Sequence, residues 1–365
     1  MAARVDRLRI AGIRSGRMGW RVTGSVNDPK LYERQAALYR RIWEEAASTL
    51  GARIEELGGE FFAIHRDGVE TIVRFHLVMI DHPATIALAL DKPVVHRLLR
   101  GSDLPVPDYR LVDLRSRGEA MSFLLDGGPC VVKPANGTGG GSGVTCGVES
   151  PDDLSRAWLA AAPFDDHILI ERAIYGKEYR MLFLDGVLLD VICRARPSVE
   201  GDGRSQVIGL IGDECRRRLD AGPDEVARLL HLDLDAALAL RADGWSARSV
   251  PPSGQRVVVK GTVGENARAD NTTVRGLAPA IVRSAARAVA LTRVRLAGVD
   301  LVTPDPDAPL EDSGGAILEV NGTPGLHYHY EVADPERATK VAVPILDRLL
   351  SRADEPHEPH SSRSS

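Results

Sequence analysis

The stretch Pro129-Cys130-Val131-Val132-Lys133-Pro134-Ala135-Asn136-Gly137-Thr138-Gly139-Gly140-Gly141-Ser142-Gly143-Val144-Thr145-Cys146-Gly147-Val148 reads as a short apolar strand with one lysine, a glycine-rich turn and a returning strand. Gly137, Gly139, Gly140, Gly141 and Gly143 leave the turn free to take positive φ and to approach a ligand closely. Successive amides in such a turn make a concave nest suited to phosphate oxygens. Lys133 adds a point charge at the edge of this solvent-lined turn. No Gly-Lys-Ser/Thr and no G-x-G-x-x-G window occurs, so neither a Walker A loop nor a dinucleotide fingerprint is present. The competing reading, a flexible linker, sits poorly with strand-forming residues on both sides.

At 365 residues the chain can hold two or three subdomains. Its 44% apolar and 27% charged content is that of a globular protein, and a net charge of −5 argues against a nucleic-acid surface. No apolar run approaches the roughly 20 residues of a membrane span. The first residues lack the apolar core of a signal peptide. Cys130, Cys146, Cys193 and Cys215 show no metal-like spacing and read as reduced thiols, so a cytoplasmic location is expected. Lysine is scarce: Lys30, Lys92, Lys133, Lys177, Lys260 and Lys340 are the whole set among 46 basic residues, which singles out Lys92 and Lys133.

Residues 1–90 read as a small α/β unit. Asp28 and Pro29 start a helix that ends at Gly51, and Glu60–His65 and Val69–Val78 are expected strands around an Arg66-Asp67-Gly68 turn. Asp91-Lys92-Pro93 opens a short helix closed by Gly101. A second unit spans 91–171 and holds the glycine turn. A third, 172–351, carries an antiparallel sheet with a hairpin at Asp185-Gly186 and an insertion near 203–260. Asn266–Thr273 is expected to be irregular, Pro335–Leu350 helical, and 352–365 a disordered tail.

Asp300, Glu319 and Asn321 form a second constellation. Glu319 and Asn321 are two apart, so on a strand they share a face. Three oxygen donors suit Mg²⁺, with Mn²⁺ able to substitute, rather than zinc. The alternative is an acidic strand end facing water. Together with a phosphate nest and two lysines, the set implies ATP chemistry.

This order of motifs resembles the ATP-grasp superfamily, and within it the ATP-grasp half of cyanophycin synthetase, over roughly residues 90 to 331. The matching stations are Asp91-Lys92, Val132-Lys133-Pro134, the glycine turn, Gly201-Asp202-Gly203, Val250-Pro251-Pro252-Ser253-Gly254-Gln255 and Glu319-Val320-Asn321 through Pro324-Gly325. The resemblance implies an α+β ATP-grasp fold, with a small N-terminal α/β domain and two α+β subdomains clasping ATP. It implies that Lys92 and Lys133 hold phosphates while Gly139, Gly140, Gly141 and Ser142 close over them. Glu171 with the backbone of Ala173 and Ile174 matches the adenine hinge, and Glu178 the ribose-binding acid. Asp300, Glu319 and Asn321 match the metal ligands. Arg194 matches the arginine on the transferred phosphate and acts with Lys133 in catalysis, Arg196 being the reserve.

The resemblance does not reach the Mur-ligase-like half of those synthetases, so polymerisation and its peptide substrate are not carried over; residues 211–230 also diverge. The activity implied is an ATP-dependent carboxylate–amine ligase that makes an amide or peptide bond through an acylphosphate, releasing ADP and phosphate. Its partners would be a small acid and an amine (amino acid or peptide), with no nucleic acid and no membrane, and family members are often homo-oligomers. Two alternatives stay open: an ATP-grasp phosphotransferase acting on a hydroxyl, and a nucleotide-binding protein without turnover. Only the acceptor pocket separates ligase from kinase. His327, Tyr328, His329 and Tyr330 are its candidates by position, against a packed aromatic turn.

Overall fold

The computed structural model describes residues 29–136, 140–221, 226 and 228–351. The helix cap expected at Asp28, the glycines at 137 and 139, and the tail from 352 lie outside these residues.

Leu38, Tyr39, Ile42, Trp43, Ala46 and Ala47 recur at helical spacing and form the buried face of α1 (Pro29–Thr49). That face covers an antiparallel sheet of β1 (Arg53–Gly58), β2 (Phe61–Arg66), β3 (Val69–Arg74) and β4 (Leu77–Val78), in that order. The single strand expected over Val69–Val78 is two. Trp43 donates its indole N–H to the Phe75 carbonyl at 2.8 Å, and Phe75 takes a left-handed φ of 51° that folds the chain back.

α2 (Pro83–Leu90) precedes α3 (Lys92–Arg100), whose start is fixed by the Asp91 carboxylate accepting the Val94 N–H at 3.0 Å. Then come β5 (Tyr109–Asp113), α4 (Arg117–Leu125), β6 (Cys130–Pro134), β7 (Thr145–Val148), α5 (Pro151–Ala161) and β8 (His167–Arg172). The four strands make an antiparallel sheet ordered β5-β8-β6-β7, and Leu154, Ala157, Trp158 and Ala161 of α5 seal its core.

A third sheet is built on the hairpin β9 (Lys177–Leu184) and β10 (Val187–Arg194). Between β10 and its next partner lies the insertion: β11 (Ser198–Glu200), α6 (Val207–Asp220), α7 (Leu234–Ala242) and β12 (Arg256–Val258), with its own small core around Val207, Leu240 and Val257. β13 (Asn271–Thr273), α8 (Pro279–Thr292), β14 (Leu296–Thr303), α9 (Leu310–Ser313) and β15 (Ala316–Asn321) complete the unit. The sheet runs β13-β10-β9-β14-β15, antiparallel throughout, and every residue of the interior strand β14 is buried. β13 corrects the expectation of an irregular 266–273. Two of the segment's asparagines are satisfied inside: Asn266 donates to Asn271 at 2.7 Å, and Asn271 to the Glu331 carbonyl at 2.9 Å. The closing helix is also shorter than expected, with α10 (Ala342–Leu349) following a short turn at Pro335–Arg337. Among the described residues no helix is long and apolar enough to cross a membrane.

The turn from β8 to β9 passes tightly against the end of β14. Gly176 there has φ of 144°, and an added Cβ would lie 2.3 Å from the Thr303 carbonyl carbon. Gly176→Ala should therefore cost about 2–5 kcal/mol, from backbone strain plus overpacking. Chemical denaturation of the purified variant measures it; wild-type stability would mean that the turn relaxes freely.

Candidate active site

Lys133 on β6 and Glu171 on β8 are diagonal neighbours across adjacent strands, and their side chains meet at 2.8 Å. Both are almost fully buried, Lys133 at 8% exposure and Glu171 at 3%. This corrects the expectation of a lysine at a solvent-lined turn: the strand that carries it is covered, and burying an ammonium there is costly without a charged partner. His96, fully buried on α3, lies with Nδ1 3.5 Å from the same Glu171 oxygen and Nε2 3.0 Å from the Leu318 carbonyl. It thus ties the second sheet to β15. One helical turn earlier, Lys92 reaches Glu319 at 3.4 Å.

On the third sheet Asp300 faces Glu319 across β14 and β15. Arg180, on β9, clamps Asp300 with two hydrogen bonds, Nε to Oδ1 at 2.7 Å and Nη2 to Oδ2 at 2.6 Å. Burial alone would raise the Asp300 carboxyl; the Arg180 guanidinium outweighs it and holds the group below its ordinary value. Asn321 donates its amide N–H to Asp300 Oδ2 at 3.2 Å. Arg194, on β10, pairs with Glu178 at 3.3 Å and donates to the Val263 carbonyl at 3.2 Å. Burial pushes Glu178 up to about 7 against the pull of Arg194. The ring of Tyr328 lies 4.8 Å from the Arg180 guanidinium carbon and 4.6 Å from that of Arg194.

Lys92, Lys133, Glu171, Glu178, Arg194, Asp300, Glu319 and Asn321 therefore fall in one connected network. Gly140 and Gly141 take φ of 64° and 84° in the turn between β6 and β7, with Ser142 beside them. Ala173 donates its N–H to the Pro129 carbonyl at 2.9 Å, and Ile174 follows in the same turn. Arg196 is exposed beyond the end of β10. The aromatic turn divides. Tyr328 faces the arginines, whereas His329 is held by Asp190 at 2.7 Å and Tyr330 accepts the Ala342 N–H at 3.0 Å. His327 meets the Tyr39 hydroxyl at 2.9 Å, and burial pushes its imidazole well below the usual range. Arg180 and His96 were missed, although the sequence carries a signal for each: Arg180 is two residues from Glu178 on a strand, and His96 four from Lys92 on a helix.

Asp300, Glu319 and Asn321 offer two carboxylates and an amide oxygen, a donor set that fits a hard divalent cation completing its shell with phosphate or water. Among the described residues no group of three or more His, Cys, Asp or Glu is placed to hold a metal by itself.

Lys133→Ala should destabilise the protein by about 3–5 kcal/mol, because it leaves Glu171 buried without its cation. Lys133→Met combined with Glu171→Gln should recover most of that stability in urea titrations. A single variant as stable as wild type would show the pair to be energetically idle.

No family model matches the chain. Cyanophycin synthetase from Nostoc sp. is 32% identical over 271 residues, covering 73% of this chain and 29% of that protein. The glutathione biosynthesis bifunctional protein GshAB of Streptococcus mutans is 28% identical over 278 residues, covering 73% and 36%. The chain thus spans about a third of the length of these relatives. In three dimensions a bifunctional glutathione synthetase from Pasteurella multocida aligns with a TM-score of 0.53 at 20% identity, over 83% of this chain and 42% of that one. The chain has an ATP-grasp fold and is a relative of cyanophycin synthetase.

Proposed function

We propose that the protein is an ATP-dependent carboxylate–amine ligase acting on amino acids or small peptides. The observation that carries this reading is the convergence of Lys92, Lys133, Arg180 and Arg194 on the carboxylates of both sheets, next to a glycine turn. Phosphoryl transfer is mostly positioning and charge neutralisation, and this is a site built from positioned charge. Lys92 and Lys133 would hold the nucleotide phosphates and Arg194 the phosphoryl group in transit. Asp300, Glu319 and Asn321 would hold Mg²⁺, which when bound supplies further neutralisation of the phosphate oxygens. The Glu171 carboxylate, with the Ala173 carbonyl and Ile174, would take the adenine edge, and Glu178 the ribose hydroxyls.

The substrate carboxylate attacks the γ-phosphorus and ADP leaves with the bridging oxygen, giving an acylphosphate. The amine then adds to the acyl carbon, loses a proton and expels inorganic phosphate. Holding acylphosphate and amine together lowers the barrier by on the order of 7–11 kcal/mol, and the glycine turn closing over the site keeps water from the acylphosphate.

Hydroxylamine tests this without knowledge of the natural amine. With ATP, Mg²⁺ and a panel of amino acids and dipeptides, the accepted acid should yield a hydroxamate with equimolar ADP and phosphate. A phosphoester without hydroxamate would instead make the protein a kinase. AMP and pyrophosphate as products would sink both readings.

A further inference from the structure

Two buried charges have no part in the chemistry above. Arg218 on α6 is 2% exposed and Glu331 4%. Arg218 donates through Nη1 to the carbonyls of Arg228 and, at 2.7 Å, of Glu265, and through Nε to Glu214 at 2.7 Å. Glu331 accepts the Val226 N–H at 3.1 Å and is fixed by Arg268 at 2.6 Å. Glu265 in turn accepts the His231 N–H at 2.9 Å. Buried ionic groups here bond to backbone, so they pin Val226, Arg228 and His231 between α6 and the loops that carry Glu265 and Glu331.

The result is the placement of one side chain. The Arg228 guanidinium lies on the glycine turn, its Nη1 donating to the Gly140 carbonyl at 3.2 Å. A Cβ added to Gly140 would lie 2.2 Å from that nitrogen, so the turn needs glycine there for the arginine's approach as well as for its φ of 64°. On its other side the charge reaches the aromatic turn. Burial raises the Tyr328 phenol, and Arg194, Arg180 and Arg228 together bring it below its ordinary value. Lys92, Lys133, Arg180 and Arg194 each have a carboxylate partner; among the described residues Arg228 pairs with none.

An arginine set on a phosphate-type turn, with no carboxylate partner among the described residues, is an anion receptor. We propose that Arg228 binds the terminal phosphate of the nucleotide and then the phosphoryl oxygens of the acylphosphate, reaching the site from the insertion. The assignment rests on the ligase reading, since that reading places phosphates under the glycine turn.

Isothermal titration of the full chain with Mg²⁺ and either ADP or the non-hydrolysable triphosphate AMP-PNP separates the two. Arg228→Gln should weaken AMP-PNP by about 10-fold or more, as loss of a charge-assisted hydrogen bond requires, and leave ADP within about two-fold. Arg228→Lys should recover part of the loss, and the thermal midpoint of both variants should match wild type because the side chain is exposed. Wild-type affinity for both nucleotides in Arg228→Gln would overturn the assignment alone, and so would an equal loss for both. Wild type binding neither nucleotide would overturn the ligase reading and this assignment with it.

Discussion

Arg180 grips Asp300 with two short hydrogen bonds in the middle of the third sheet, and the rest of the site is arranged around that pair. A guanidinium and a carboxylate can be buried on neighbouring strands only if each satisfies the other, because either charge alone would cost several kcal/mol to desolvate. The same constraint repeats outward. Lys92 meets Glu319, Lys133 meets Glu171 and Arg194 meets Glu178. Four cations and four carboxylates thus stand in the site as four pairs, supported by His96 between Glu171 and β15 and by Tyr328 between two arginines.

On the ligase reading, a site neutralised within itself would bind its ligands by exchange. Phosphate oxygens would compete with the carboxylates for the lysines and arginines, and a divalent cation would compete with those same basic groups for Asp300 and Glu319. Each exchange favours the other: a cation drawing Asp300 away frees Arg180, and a phosphate drawing Lys92 away frees Glu319. On the ligase reading, metal and nucleotide therefore enter as a coupled set, and the charges lie ready before phosphoryl transfer begins. Arg228 differs because it arrives from the insertion with no carboxylate partner among the described residues.

Much of this was legible wherever one residue type does one local job. The glycine turn declares itself by composition, Asp91-Lys92-Pro93 by capping chemistry, and Glu319 with Asn321 by the two-residue period of a strand. What stayed hidden depends on partners distant in sequence. Nothing near Phe75 announces that Trp43 will capture its carbonyl and split a strand. Asn271 reads as loop until Asn266 and the Glu331 backbone satisfy it. Lys133 reads as exposed until Glu171, 38 positions along the chain, folds against it. Arg228 sits in a stretch whose pattern is unremarkable, and its placement is set by Arg218 and Glu331 through backbone contacts that a sequence does not encode locally.

On the ligase reading, ligands displace internal partners. A crystal structure with Mn²⁺ and AMP-PNP bound tests it most directly, because the anomalous signal locates the metal without reference to the refined side chains. Mn²⁺ should lie on Asp300, Glu319 and Asn321, with Arg180 and Lys92 moved from those carboxylates onto phosphate oxygens. Nucleotide bound while the Arg180–Asp300 and Lys92–Glu319 pairs stay closed, with the metal elsewhere, would contradict it.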